Sequence, residues 1–212
     1  MSENGNLTVV VQAGGESRRM GRSKATVPFL GEPLLWRGVR RLAPIADELV
    51  VTTNEPENLG FLDEMVASGE LRLVRDAYET RGALRGIYTA LDAAEKDYVA
   101  IVACDMTSPS PALIAAELAA LEASGADAAL PRTQPGYEPF HGVYRRATCL
   151  PAVAGAIEAG EARAAAFLPA VETLPFTEEM VAAVAPEGDC FVNVNTPEEL
   201  HRAERILEAG AS

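Results

Sequence analysis

Short apolar runs alternate with stretches in which apolar residues return every third or fourth position, and this alternation continues along the 212 residues. The runs predict strands at Thr8–Gln12, Glu48–Thr53, Leu71–Arg75, Tyr98–Ala103, Ala126–Leu130, Phe140–Tyr144 and Val171–Phe176. The intervening pattern predicts helices at Leu34–Leu42, Asn58–Ala67, Leu84–Ala94, Pro111–Glu122 and Cys149–Ala159, and Pro197–Glu208 closes the chain. Strand–helix alternation implies βαβ units, hence a single-domain three-layer α/β/α fold around a mostly parallel, Rossmann-like sheet. Phe140–Tyr144 and the final strands are candidates for antiparallel pairing. No linker, repeat or low-complexity segment divides the chain, so residues 1–212 read as one domain.

In open α/β sheets ligands bind outside the carboxyl ends of the strands, so the residues that follow predicted strand ends are the ones to inspect. Gly14, Gly15, Arg19 and Lys24 follow the first strand, Asn54 the second, Asp76 the third and Asp105 the fourth. The first of these groups lies in VVVQAGGESRRMGRSK, residues 9–24. Paired glycines let the backbone approach an anion, and guanidinium and ammonium groups converge on phosphate oxygens. The spacing is neither the Walker pattern G-x-x-x-x-G-K-S/T nor G-x-G-x-x-G. A solvated charged loop is the plain alternative; double glycine directly after a strand favours the anion.

Charge sharpens this picture. The net charge is −13, yet Arg18, Arg19, Arg22 and Lys24 fall within seven positions, and Lys24 is one of only two lysines. Cations gathered against the overall sign mark an anion site. Strong acidity with pI near 4.6 argues against nucleic acid or an anionic membrane surface as partner. No apolar run approaches membrane-spanning length, and no secretory signal is expected. Cys104, Cys149 and Cys190 are odd in number and widely spaced, which suggests reduced thiols in a cytoplasmic protein.

Two further segments carry candidate chemistry. In IVACDM, Asp105 places a carboxylate directly after an apolar strand; it reads either as a ligand for magnesium, a hard cation that takes carboxylate and phosphate oxygens, or as the N-cap of the next helix. In FVNVNTPEEL, Thr196, Pro197 and Glu199 form a capping-box helix start. Capping leaves Asn193 and Asn195 unexplained; they suit a polar ligand or metal-bound water, or else satisfy the local turn. His201 is expected at the surface and His141 packed within its strand. No nucleophile motif is present.

Taken together, AGGESRRMGRSKATVPFLGEPLL, VVTTN, RDAYETRGALRG, ACDM, PFHGVYRR and NVNTPEEL resemble the MobA-type molybdenum cofactor guanylyltransferases of the GT-A-like nucleotidyltransferase group, from Val9 to about Leu207. The resemblance implies transfer of GMP from GTP to the phosphate of molybdopterin, with or without bound molybdenum, releasing pyrophosphate. It places Gln12, Ala13, Gly14, Gly15, Lys24, Asn54, Asp76 and Asp105 at the nucleotide, with Arg19, Lys24 and Asp105 as catalytic groups and Mg2+ on Asp105. Asn193 and Asn195 fall on the metal and acceptor side. It also implies a molybdoenzyme or its chaperone as a recipient.

The chain departs from that family at several positions. Gln12 stands where leucine is usual, beside the purine; Ser23 replaces an acidic residue. The turn Gly82-Ala83-Leu84-Arg85-Gly86 lacks the usual proline, and Arg85 adds a cation able to bind an acceptor phosphate. Thr107 replaces proline after Asp105-Met106. Alternative readings are a related enzyme transferring cytidylyl to molybdopterin or a nucleotide to a sugar phosphate, and a non-catalytic GTP-binding adaptor for molybdoenzymes.

Overall fold

The computed structural model describes residues 5–14, 23–78, 80, 82–134 and 136–210. Its centre is one sheet built from β1 (Leu7–Gln12), β4 (Glu48–Thr53), β5 (Arg72–Arg75), β6 (Tyr98–Ala103), β7 (Ala128–Thr133), β9 (His141–Arg145) and β10 (Thr173–Phe176), in the order β10-β7-β9-β6-β1-β4-β5. A short β8 (Gly136–Tyr137) folds back on β7. β1 pairs in parallel with both β4 and β6, while β9 runs antiparallel between β6 and β7. The reversal expected at Phe140–Tyr144 is therefore present, whereas the final strand β10 pairs in parallel with β7.

Helices cover both faces, giving the three-layer arrangement the alternation predicts. On one face α1 (Leu34–Leu42) and α4 (Pro111–Ser124) pack Leu35, Val39, Leu113 and Ile114 against Val9, Val11, Val51 and Val102. On the other, α3 (Ala83–Ala93) and α5 (Arg146–Glu158) pack Ile87, Leu91 and Val153 against Val10, Val50, Val99 and Ile101. The central strands are buried on both sides, which is why they read as unbroken apolar runs rather than alternating ones.

Local differences have local causes. The helix expected over Asn58–Ala67 is interrupted: 3-10 turns at Pro56–Asn58 and Gly60–Leu62 precede α2 (Asp63–Ser68), because Gly60 is a poor helix former. A hairpin of β2 (Pro28–Phe29) and β3 (Glu32–Pro33) turns through Leu30 and Gly31, both at positive φ. The additional helix α6 (Glu178–Val184) is capped by Thr177, whose hydroxyl accepts from the Met180 N–H at 3.4 Å.

A third, smaller apolar cluster does more for the site than its size suggests. Val27 and Phe29 from the hairpin region, Leu34, Val194, and Leu200 and Ala203 of the terminal α7 (Pro197–Gly210) pack together. Glu204 of α7 accepts the Leu30 N–H at 2.9 Å. The segment after β1 and the C-terminal NVN segment are thereby held side by side.

Candidate active site

The carboxyl ends of β1 and β6 open onto one cleft of about 610 Å³, lined by Gln12, Gly14, Lys24, Asp105 and Asn193 among others; Thr52 of β4 and Asp76 after β5 line a small adjoining chamber that shares Gln12, Gly14, Gly82 and Gly86 with it. Gly15 and Arg19 lie outside the described residues.

Asp105 follows β6 by two positions, and its side chain is about one-fifth exposed. It is not a helix cap: Ser110 caps α4, its hydroxyl accepting from the Leu113 N–H at 3.2 Å. That removes the capping alternative and leaves the carboxylate in the cleft. Lys24 Nζ lies 2.7 Å from Asp105 Oδ2 and 2.6 Å from Asn195 Oδ1.

The chain around Asp105 is held from two sides. Residues 106 and 193 form a β-bridge, Val194 N–H donates to Asp105 O at 3.0 Å and Thr107 N–H to Val192 O at 3.2 Å. Arg37 and Arg41 of α1 donate through Nε to Thr107 O at 2.9 Å and Pro109 O at 2.7 Å. These arginines were not evident from motif or strand end, because their task is to grip backbone on a neighbouring element.

At the C-terminal segment the capping box forms as expected. Thr196 Oγ1 accepts from Glu199 N–H at 3.2 Å, and Glu199 Oε2 accepts from the N–H groups of Thr196 at 3.2 Å and Asn195 at 2.6 Å. Glu199 thus satisfies the Asn195 backbone and leaves its side-chain amide to Lys24. Val194 is buried while Asn193 and Asn195 are exposed.

The other end of the cleft is built by glycine. Asn54 Nδ2 donates to Asp76 Oδ2 at 2.5 Å, and a Cβ on Gly14 would stand 2.6 Å from that same oxygen. A side chain at position 14 would force the Asp76 carboxylate out of its place beside Asn54. Arg85, expected at the acceptor, lines a side chamber of the cleft shared with Gln12, Gly14 and Asp76. Glu138 and Phe140 also line the cleft. Sequence reasoning passed over them because Glu138 lies before, and Phe140 at the start of, a predicted strand, and only the reversal of β9 brings that end to the cleft.

Two nearby titratable groups are held in their neutral forms. Burial and the adjacent Asp105 push the Cys104 thiol up to about 12, so it stays protonated and inert as a nucleophile. His141 is fully buried, and its Nε2 accepts the Ser110 N–H at 3.1 Å. It is a packed strand residue that anchors the start of α4, as the sequence reading favoured.

The donor set suits a hard cation: one carboxylate, a neighbouring amide oxygen and open space for phosphate oxygens. Among the described residues no group of three or more His, Cys, Asp or Glu could enclose a metal. Among them, too, no helix is long and apolar enough to cross a membrane.

The model of the MobA-like NTP transferase domain matches residues 9–174. A probable molybdenum cofactor guanylyltransferase of Natronomonas pharaonis is 34% identical over 206 residues, covering 96% of this chain and 99% of the relative. A molybdenum cofactor guanylyltransferase of Desulfosudis oleivorans is 30% identical over 206 residues, covering 96% and 97%. Among solved structures, molybdopterin-guanine dinucleotide biosynthesis protein A of Archaeoglobus fulgidus superposes with a TM-score of 0.80 at 24% identity, over 95% of this chain and 99% of that one, a likeness of fold. Motif, fold and end-to-end similarity agree, and the chain belongs to the MobA-like NTP transferase family.

Proposed function

We propose that the protein transfers the GMP unit of GTP to the phosphate of molybdopterin, forming molybdopterin guanine dinucleotide and releasing pyrophosphate. The observation that carries this reading is the meeting of Lys24 with Asp105 and Asn195 beside a cleft lined by Lys24, Asp105 and Gly14, whose adjoining chamber is lined by Asp76 with Asn54 bonded to it. The Lys24 side suits phosphates and a cation; the Asp76 side suits a nucleoside with donor groups for Asp76.

In this reading an oxygen of the acceptor phosphate attacks the α-phosphorus of GTP in line. The bond from that phosphorus to the β-phosphate bridging oxygen breaks, and pyrophosphate carries away the electron pair. A phosphate monoester is already anionic near neutral pH, so no strong general base is needed. The protein's task is positioning and charge neutralisation. Lys24 places an ammonium against the phosphates, and Arg19, outside the described residues, adds a second cation on the strength of the motif. Asp105 with Asn195 would hold a divalent cation, best magnesium, which when bound screens the charge on the phosphates. Asn193 and Asn195 present amides to the acceptor side. The three free cysteines suit a reducing cytoplasm.

The test is a reaction with GTP, magnesium and molybdopterin, followed by pyrophosphate release and mass spectrometry of the pterin product, alongside CTP and ATP. A guanine dinucleotide dependent on the metal supports the reading. Faster turnover of CTP, or GTP binding without pyrophosphate release, overturns it.

A further inference from the structure

A hollow of about 250 Å³ beside α1 is lined, among the described residues, by Glu32, Arg37, Arg40 and Arg41. It shares no lining residue with the catalytic cleft. Three guanidiniums face one carboxylate there, on a chain whose net charge is −13. Such a gathering of cations against the overall sign creates a local field that attracts anions.

Helix stability does not call for this arrangement. Arg40 and Arg41 in the last turn of α1 suit the helix dipole. Arg37 lies in the first half of the helix, one turn before Arg41, where like charges repel. Burial and the Arg41 charge lower the Arg37 pKa, while Asp189 and Glu32 act the other way. The grip on the carbonyls of Thr107 and Pro109 uses Nε of Arg37 and Arg41. That contact sets the plane of each guanidinium, and Arg37 is further held 5.8 Å over the Phe29 ring. Arg40 is committed differently, giving Nη1 to both Glu32 oxygens at 3.0 and 3.2 Å. Among the described residues no carboxylate comes within ion-pair distance of Arg37 or Arg41. Their Nη donors are left for a ligand.

We propose that Arg37, Arg40 and Arg41 form a second anion site, separate from the catalytic cleft, for a small oxyanion of the phosphate class. Guanidiniums whose planes are already set by backbone contacts present forks to phosphate oxygens with little further ordering. The hollow is smaller than the roughly 300 Å³ at which pockets for drug-sized ligands begin, so it takes an inorganic oxyanion rather than a nucleotide. The surplus of guanidinium over carboxylate favours a multiply charged anion over chloride or a single carboxylate. That chemistry has two sources, free inorganic phosphate and the pyrophosphate that the proposed reaction releases. The site rests on the geometry of α1 and stands independently of the GTP reading.

The test uses nitrogen-15-labelled Lys24→Ala protein, so that phosphate binding in the cleft is weakened, titrated with phosphate or pyrophosphate while acetate keeps the ionic strength constant. The Nε–H resonances of Arg37 and Arg41, identified by their loss in Arg37→Lys and Arg41→Gln, should shift saturably with the phosphate species and stay in place in acetate. Read on Arg37, Arg41→Gln should weaken binding about tenfold or more. Glu32→Gln removes the competing carboxylate and frees Arg40, so it should tighten binding severalfold, a gain that arginines serving only to hold backbone would not show. Circular dichroism checks that each variant folds. Tighter binding of pyrophosphate assigns the site to the reaction's product, tighter binding of phosphate to the free ion, and either supports it. Resonances that do not move or that move equally in acetate overturn the site, as does an affinity unchanged in both Arg41→Gln and Glu32→Gln.

Discussion

Lys24 and Asp105, 81 positions apart, meet at 2.7 Å with side chains 15% and 21% exposed. The only cation described in the cleft's phosphate end is thus paired with the carboxylate proposed to hold the metal. A lysine already poised at that carboxylate is positioned to follow the phosphates once they arrive with their cation. Lys24→Ala and Asp105→Asn are each expected to lower kcat roughly 10²–10³-fold, the range for removing one preorganised charge-stabilising group. Steady-state pyrophosphate release, with circular dichroism to check folding, measures this; near wild-type turnover in either variant removes that residue from the mechanism.

Gly14→Ala tests the nucleoside end. Its methyl group would press within 2.6 Å of Asp76 Oδ2 and displace a carboxylate already tied to Asn54. About a 10²-fold loss in kcat/KM for GTP is expected from such a displacement, with melting temperature little changed. Unchanged kinetics would mean that Asp76 does not touch the nucleotide.

Two buried ionisable groups make opposite contributions to the pH dependence of stability. Burial lowers the His141 pKa from 6.5 to about 4, so the folded protein holds a neutral imidazole where the unfolded chain would take up a proton. Its contribution is complete above pH 6.5 and is lost as pH falls toward 4. Burial raises the Glu117 carboxyl well above its usual 4.5, so its contribution is complete below pH 4.5 and drains away as pH rises. Both Glu117 oxygens lack a hydrogen-bond partner. Glu117→Met should therefore stabilise the protein by about 1–3 kcal/mol near neutral pH, with a smaller gain in acid. Urea unfolding at several pH values checks both signs; a Glu117→Met gain that grows toward acid would refute the assignment.

Gly142 supports the reversed strand. A Cβ there would lie 2.2 Å from Leu130 Cδ2 and 3.1 Å from the Ala129 carbonyl oxygen, and backbone cannot step aside as a side chain can. Gly142→Ala is expected to cost about 1–3 kcal/mol of stability, measured by chemical denaturation. A neutral result would show that β7 and β9 separate easily.

The amino-acid sequence was enough to mark most of the strands and helices, though not the break over Asn58–Ala67 or α6, and to show that the sheet is mostly parallel and that Gly14, Asn54, Asp76 and Asp105 stand at strand ends. These are local properties, written in the period of apolar residues and in turn chemistry over a few positions; the Thr196–Glu199 capping box was legible for the same reason. The tertiary structure decided that, of the segments offered for antiparallel pairing, β9 reverses while β10 does not, which turns Glu138 and Phe140 to the cleft, and that Ser110 rather than Asp105 caps α4. It also decided that Arg37 and Arg41 grip the chain beyond Asp105, and that Arg85 lies beside Gln12. Pairing direction and distant contacts depend on how two apolar sheet faces are covered at once, and Lys24, Asp105 and Asn195 converge because Val27, Phe29, Val194 and Leu200 bury one another.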